Sequence, residues 1–214
     1  MGIYDREYYR REGPSFLGSF TDQGKSCKWL IGLNVILFVA TLLTPPTEAK
    51  PHPVFDDNGR MIGLERDDHP PRFGDRHGVV TEALDLEPEA VLHGQVWRLL
   101  TYAFLHAGIW HILWNMLFLW WFGHEMEELY GPREFLIFYL VAAFLGGVAF
   151  TIWAVSRPLG LVTSCVGASG AVTAVMVLYA FHYPTRVIRL WWFLPIPIWL
   201  FVLFQVGQDV YTWA

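Results

Sequence analysis

Five stretches of this chain carry no formal charge over lengths that approach the thickness of a bilayer, and that feature removes most soluble folds from consideration. They are Trp29–Leu43, Leu99–Gly123, Phe135–Ser156, Leu159–Thr185 and Leu190–Gln208. A helix crossing the hydrocarbon needs roughly 20 apolar residues, with a usual range of about 17–25. The last four stretches meet that requirement, and the first does so if Cys27, Thr44 and neighbouring polar residues join it. Composition agrees: 54% of residues are hydrophobic and 16% charged, where soluble domains carry about 25% charged residues. The expected fold is all-α, a polytopic membrane helix bundle with five spans.

The loops divide the chain and orient it. Arg6, Arg10, Arg11, Lys25 and Lys28 precede the first span, and short loops rich in lysine and arginine favour the cytoplasm. Residues 1–28 are therefore expected as a cytoplasmic N-terminal segment without a cleavable signal, and 29–214 as one membrane domain. This places Arg133, Arg186 and Arg189 inside and Arg157 outside. The long segment 44–98 then faces out. Within it Pro45–Arg76 reads as irregular loop, and Val79–Leu100 as short interfacial helices. A bacterial-type cell membrane is the expected location. Cys27 and Cys165 are the only cysteines and do not define a disulfide framework. A net charge of −5 with no basic stripe excludes a nucleic-acid binder.

Polar groups inside such runs are costly in hydrocarbon and point to a protein interior or a water-filled cavity. Leu99–Gly123 carries His106, His111 and Asn115, and Leu159–Thr185 carries Ser169 within Val166-Gly167-Ala168-Ser169-Gly170-Ala171. His111 and Asn115 are four apart, so on a helix they share a face. His106 falls off that face and is expected in a loop or first turn near Ala107-Gly108, its imidazole bonded to loop backbone. The small residues Gly146, Gly147, Gly167, Gly170, Ala171 and Ala174 have two readings. They form a seam for close helix packing, or Gly167 and Gly170 clear space around a nucleophile at a helix N-terminus, where free N–H groups donate to an oxyanion. That helix would start close to Gly167 and run to about Tyr183, where Pro184 stops it. Serine, imidazole and amide together point to acyl transfer. No metal or organic cofactor is expected, because His106 and His111 lack a clear third ligand for zinc. Trp97 is an interfacial anchor or holds a specific structural place, and Arg98 likewise either snorkels or is structural. Glu125, Glu127 and Glu128, taken alone, read as a solvated helix end.

Taken together, Trp97-Arg98, His106, His111-x-x-x-Asn115, Glu127 and Gly167-Ala168-Ser169-Gly170 resemble a rhomboid intramembrane serine protease over about half of the chain. The resemblance implies a Ser/His dyad below the membrane surface in a water-accessible cavity, cleaving transmembrane proteins near their helix ends. It maps Ser169 to the nucleophile, and His111, Asn115 and the Ser169 backbone N–H to the oxyanion hole. Trp97, Arg98, His106, Glu127, Gly167 and Gly170 take supporting or structural places. It also implies a general-base histidine on a sixth span. The sequence reaches Ala214 just after the fifth, so the base is expected beyond Ala214 and residues 1–214 alone are expected to be catalytically incomplete.

His182 does not fill that role, lying about 20 Å further along the helix that begins near Ser169. A noncatalytic rhomboid-like protein that binds transmembrane helices is the alternative reading. It has no use for Ser169 beside an oxyanion-type pair. A transporter is a third, without support from inverted repeats. The expected partners are transmembrane substrates and the lipid bilayer, and the sequence does not indicate an oligomeric state.

Overall fold

The computed structural model describes residues 25–44, 52–55, 60–65, 78–157, 164–190 and 194–213. The expected N-terminal segment up to residue 24, and most of 45–77, lie outside the described residues. The protein is a helical membrane bundle. Its first helix, α1 (Lys25–Leu43), and a later one, α7 (Pro132–Val155), are each long and apolar enough to cross a bilayer. In α1 the buried positions Cys27, Leu30, Asn34 and Phe38 recur every three or four residues and form one face, while Trp29, Ile36, Val39 and Leu43 point outward. An apolar outer surface of this kind is what lipid contact requires.

The second uncharged stretch is not one straight span. It begins with α4 (Arg98–Thr101), continues as a 3-10 turn (Tyr102–Phe104), breaks, and resumes as α5 (Ile109–Phe118), a π-helical turn (Leu119–Gly123) and α6 (His124–Tyr130). The two arms are bent by 96°. Leu99, Tyr102, Ala103 and Phe104 are apolar because they are buried in protein, not because they face lipid. Helix α4 lies so close to α7 that a Cβ on Gly147 would come within 2.6 Å of the Leu99 carbonyl oxygen, a backbone approach that only small residues permit.

Ahead of this bend come two short helices, α2 (Val79–Leu84) and α3 (Pro88–Leu92), as the sequence predicts for Val79–Leu100. The preceding segment departs from its expected irregularity: β1 (His52–Phe55) pairs antiparallel with β2 (Met61–Glu65). The fourth apolar stretch forms α8 (Ser169–His182). The fifth is shorter than expected as a helix. Its first part enters an antiparallel hairpin, β3 (Val187–Leu190) with β4 (Leu194–Pro197), and α9 (Ile198–Trp213) starts only after Pro197. Pro195 and Pro197 would each remove a helical hydrogen bond, whereas a strand at an edge tolerates them.

The Glu127 carboxylate fixes the order of the ends. It accepts the Ser26 N–H at 2.8 Å and the Cys27 N–H at 2.9 Å, and the Ser26 hydroxyl donates to the Pro132 carbonyl at 2.7 Å. The start of α1, the end of α6 and the start of α7 therefore meet at one end of the bundle. Arg186, beyond the end of α8, joins them by pairing with Glu125 and lying over the Tyr183 ring at 5.3 Å. Between the ends the core is filled by Leu119, Phe122, Met126, Phe135 and Tyr139 against Val172, Val175 and Met176 of α8.

Candidate active site

Ser169 is the first residue of α8, following Ala168 at the helix cap. The opening N–H groups of an α-helix have no acceptor within the helix, so the sequence places a hydroxyl beside donors that α8 does not use. The helix has 14 residues, or about 21 Å at 1.5 Å per residue, against a hydrocarbon core of about 30 Å. The helix is therefore about 9 Å too short to cross that core on its own.

The loop leading to Ser169 is fixed by backbone contacts. Cys165 and Leu86 exchange a reciprocal pair of hydrogen bonds, each 3.0 Å, and the Gly167 N–H donates to the Tyr102 carbonyl at 3.0 Å. Gly167 has φ +134°, where L side chains are rare. A Cβ built there would lie 2.7 Å from His111 Cε1, 2.8 Å from His111 Nε2 and 3.8 Å from Ser169 Oγ. Gly167 is thus the floor on which the imidazole of His111 and the hydroxyl of Ser169 converge. Gly170 behaves differently from the expectation. It is exposed, and a Cβ on it meets nothing within 4 Å.

His111 and Asn115 sit on α5, which packs against α8. The Asn115 amide donates to the His111 carbonyl at 2.9 Å. One amide hydrogen is thereby used and the second can serve an oxyanion. His106 lies in the break before α5, buried, with its ring 5.0 Å from that of His111 in an edge-to-face arrangement. The expected bond from His106 to loop backbone is absent: neither ring nitrogen has a hydrogen-bond partner among the described residues. The ring is packed against His111, off the helix, so its polar edge reaches no carbonyl. Among the described residues no group of three His, Cys, Asp or Glu side chains converges on one point.

The remaining sequence-predicted residues lie away from the contact between Gly167, His111 and Ser169. Arg98 does not snorkel. It is buried and donates to the Gln95 side chain, the Glu82 carbonyl and both the carbonyl and carboxylate of Asp85, pinning the segment whose next residue, Leu86, pairs with Cys165. Trp97 is half exposed, and its indole N–H donates to the Ala83 carbonyl at 3.2 Å. Glu127 is 2% exposed and caps α1 at the opposite end, which corrects the solvated-end reading. His182 is also at that end, bonded to the Tyr130 hydroxyl at 2.9 Å and to the Leu178 carbonyl. Sequence reasoning missed Tyr102, Asp85 and Leu86. The only available signal was Tyr102 itself, a lone phenol facing the later Gly146-Gly147 pair.

The Rhomboid domain family model matches residues 93–214. The chain is 36% identical to "RHOMBOID-like protein 12, mitochondrial" of Arabidopsis thaliana over 129 residues, 55% of this chain and 38% of the relative. It is 38% identical to "Rhomboid protease GluP" of Bacillus subtilis over 85 residues, covering 38% and 17% of the two chains. With "Rhomboid protease GlpG" of Salmonella choleraesuis the identity is 35% over 75 residues, or 35% and 26%. The match thus spans less than half the length of each relative. One of these names is mitochondrial, which leaves the expected bacterial-type membrane without support. Matched over the segment that holds both His111 and Ser169, this multi-pass integral membrane chain belongs to the rhomboid family.

Proposed function

We propose that the protein is an intramembrane serine endopeptidase in which Ser169 attacks a substrate peptide carbonyl. The observation that carries this reading is the convergence of Ser169 Oγ and the His111 ring across Gly167 at the start of α8. The Ser169 hydroxyl forms the acyl bond, and its proton passes to a general-base histidine that later protonates the leaving amine. By resemblance that histidine belongs to a sixth span, outside residues 1–214. His111, the second amide hydrogen of Asn115 and the Ser169 N–H stabilise the tetrahedral oxyanion, each such donor being worth about 10²–10³ in turnover. The substrates are transmembrane proteins cut near the ends of their helices. The short-loop charges support a cytoplasmic end at Glu127 and Arg186 and an outward-facing Ser169.

Labelling with a fluorophosphonate tests the nucleophile. The full-length protein in detergent should take up the probe, and Ser169→Ala should not. Equal labelling of the two would end the assignment and favour a noncatalytic protein that binds transmembrane helices.

A further inference from the structure

Tyr102 spans the gap between α7 and the Ser169 loop. Its hydroxyl donates to the Ala143 carbonyl in the middle of α7 at 2.9 Å. The surface of α7 is cut away to receive the ring: a Cβ on Gly146 would lie 2.9 Å from the Tyr102 hydroxyl, and one on Gly147 would lie 3.0 Å from its Cε1. The residue is buried, and at its other end its backbone carbonyl accepts the Gly167 N–H. Leu86 holds the same loop two residues upstream, at Cys165. The height of Gly167 against His111 is then set by where the Tyr102 carbonyl sits, and that is set by how deeply the phenol seats on α7.

We propose that Tyr102 is a positioning residue for catalysis, a strut that transfers the rigidity of α7 to the spacing between His111 and Ser169. The inference rests on Ser169 being the nucleophile. Catalysis is sensitive to sub-ångström spacing, and a misplacement of about 1 Å can cost about 100-fold. Loss of one end of the strut is a smaller displacement.

The test uses the full-length protein with two readouts: the rate of fluorophosphonate labelling, and kcat and KM for a reporter transmembrane substrate below the unfolding temperature of every variant. Tyr102→Phe removes the bond to Ala143, and Gly146→Ala keeps the hydroxyl but sets a methyl against it, which pushes the phenol out of its slot. Both should lower the labelling rate and kcat about tenfold with KM unchanged. Tyr139→Phe is the control. It removes a hydroxyl from an equally buried ring of α7, one with no hydrogen-bond partner among the described residues, so it should not lower the unfolding temperature and should leave kcat within about twofold. Wild-type kcat in Tyr102→Phe, or a fall no larger than that of Tyr139→Phe, would overturn the strut. A Ser169→Ala protein that still labels would instead remove the nucleophile on which the inference stands.

Discussion

Gly167 is the position where the smallest change has the largest expected effect. Alanine there meets two obstacles, a backbone φ of +134° and an imidazole already within 2.8 Å of the new methyl. The first costs about 1–3 kcal/mol. The second cannot be relieved without moving His111 away from Ser169. Gly167→Ala should therefore lower fluorophosphonate labelling about 100-fold while helical circular dichroism is retained, whereas Gly170→Ala, in open space, should label at the wild-type rate. Equal rates for the two would show that Gly167 is not the floor of the site. Ser169, His111 and Asn115 were legible as polar groups in uncharged stretches, since hydrocarbon makes such residues costly enough to demand a reason. Tyr102 was not, because a tyrosine in an apolar run has many uses and its partner lies on another helix. His106 was placed correctly in the break, but its packing against His111 depends on a bend that spacing does not encode.

At the scale of elements, the helix cap at Glu127 shows how a membrane helix is seated. Two N–H groups at the start of α1 have no acceptor in their own helix, and a carboxylate from α6 takes both, with favourable charge at the positive end of the helix dipole. Glutamine keeps one acceptor oxygen and would turn its NH₂ toward the second N–H. Glu127→Gln should therefore lower stability by about 1.5–3 kcal/mol, read as a lower unfolding midpoint in detergent, and an unchanged midpoint would refute the cap. The contact joins residues about 100 positions apart, which explains why periodicity and charge counting missed it. The long apolar helices were legible because length and hydropathy are local properties. The bend before α5 was not, since Leu99–Phe104 and Ile109–Gly123 are equally apolar for different reasons, protein burial in one case and bilayer depth in the other. Two local cues bear on the hairpins: Asn58-Gly59 lies between the sequences of β1 and β2, and Pro195 and Pro197 count against a helix over β4.

The whole molecule is divided between its two ends. One gathers the Glu127 cap, the Glu125–Arg186 pair and the Tyr130–His182 bond, and the other gathers the buried Arg98, the Leu86–Cys165 pairing and Ser169. Helix α8 joins them, and it is about 9 Å shorter than the hydrocarbon it serves. A lipid layer held to that length would have to thin, at a cost of a fraction of a kcal/mol per ångström. Fluorophosphonate labelling should accordingly be faster in vesicles of short-chain lipids than in vesicles of long-chain lipids, and indifference to chain length would mean that Ser169 is not held at a fixed depth. This geometry also changes what selectivity means under the proposed function. A soluble protease reads side chains along an extended peptide. A nucleophile hung on a truncated helix takes its measurement from the far face of the bilayer, so it reads a level, and the substrates it accepts are those whose own helices come undone at that level.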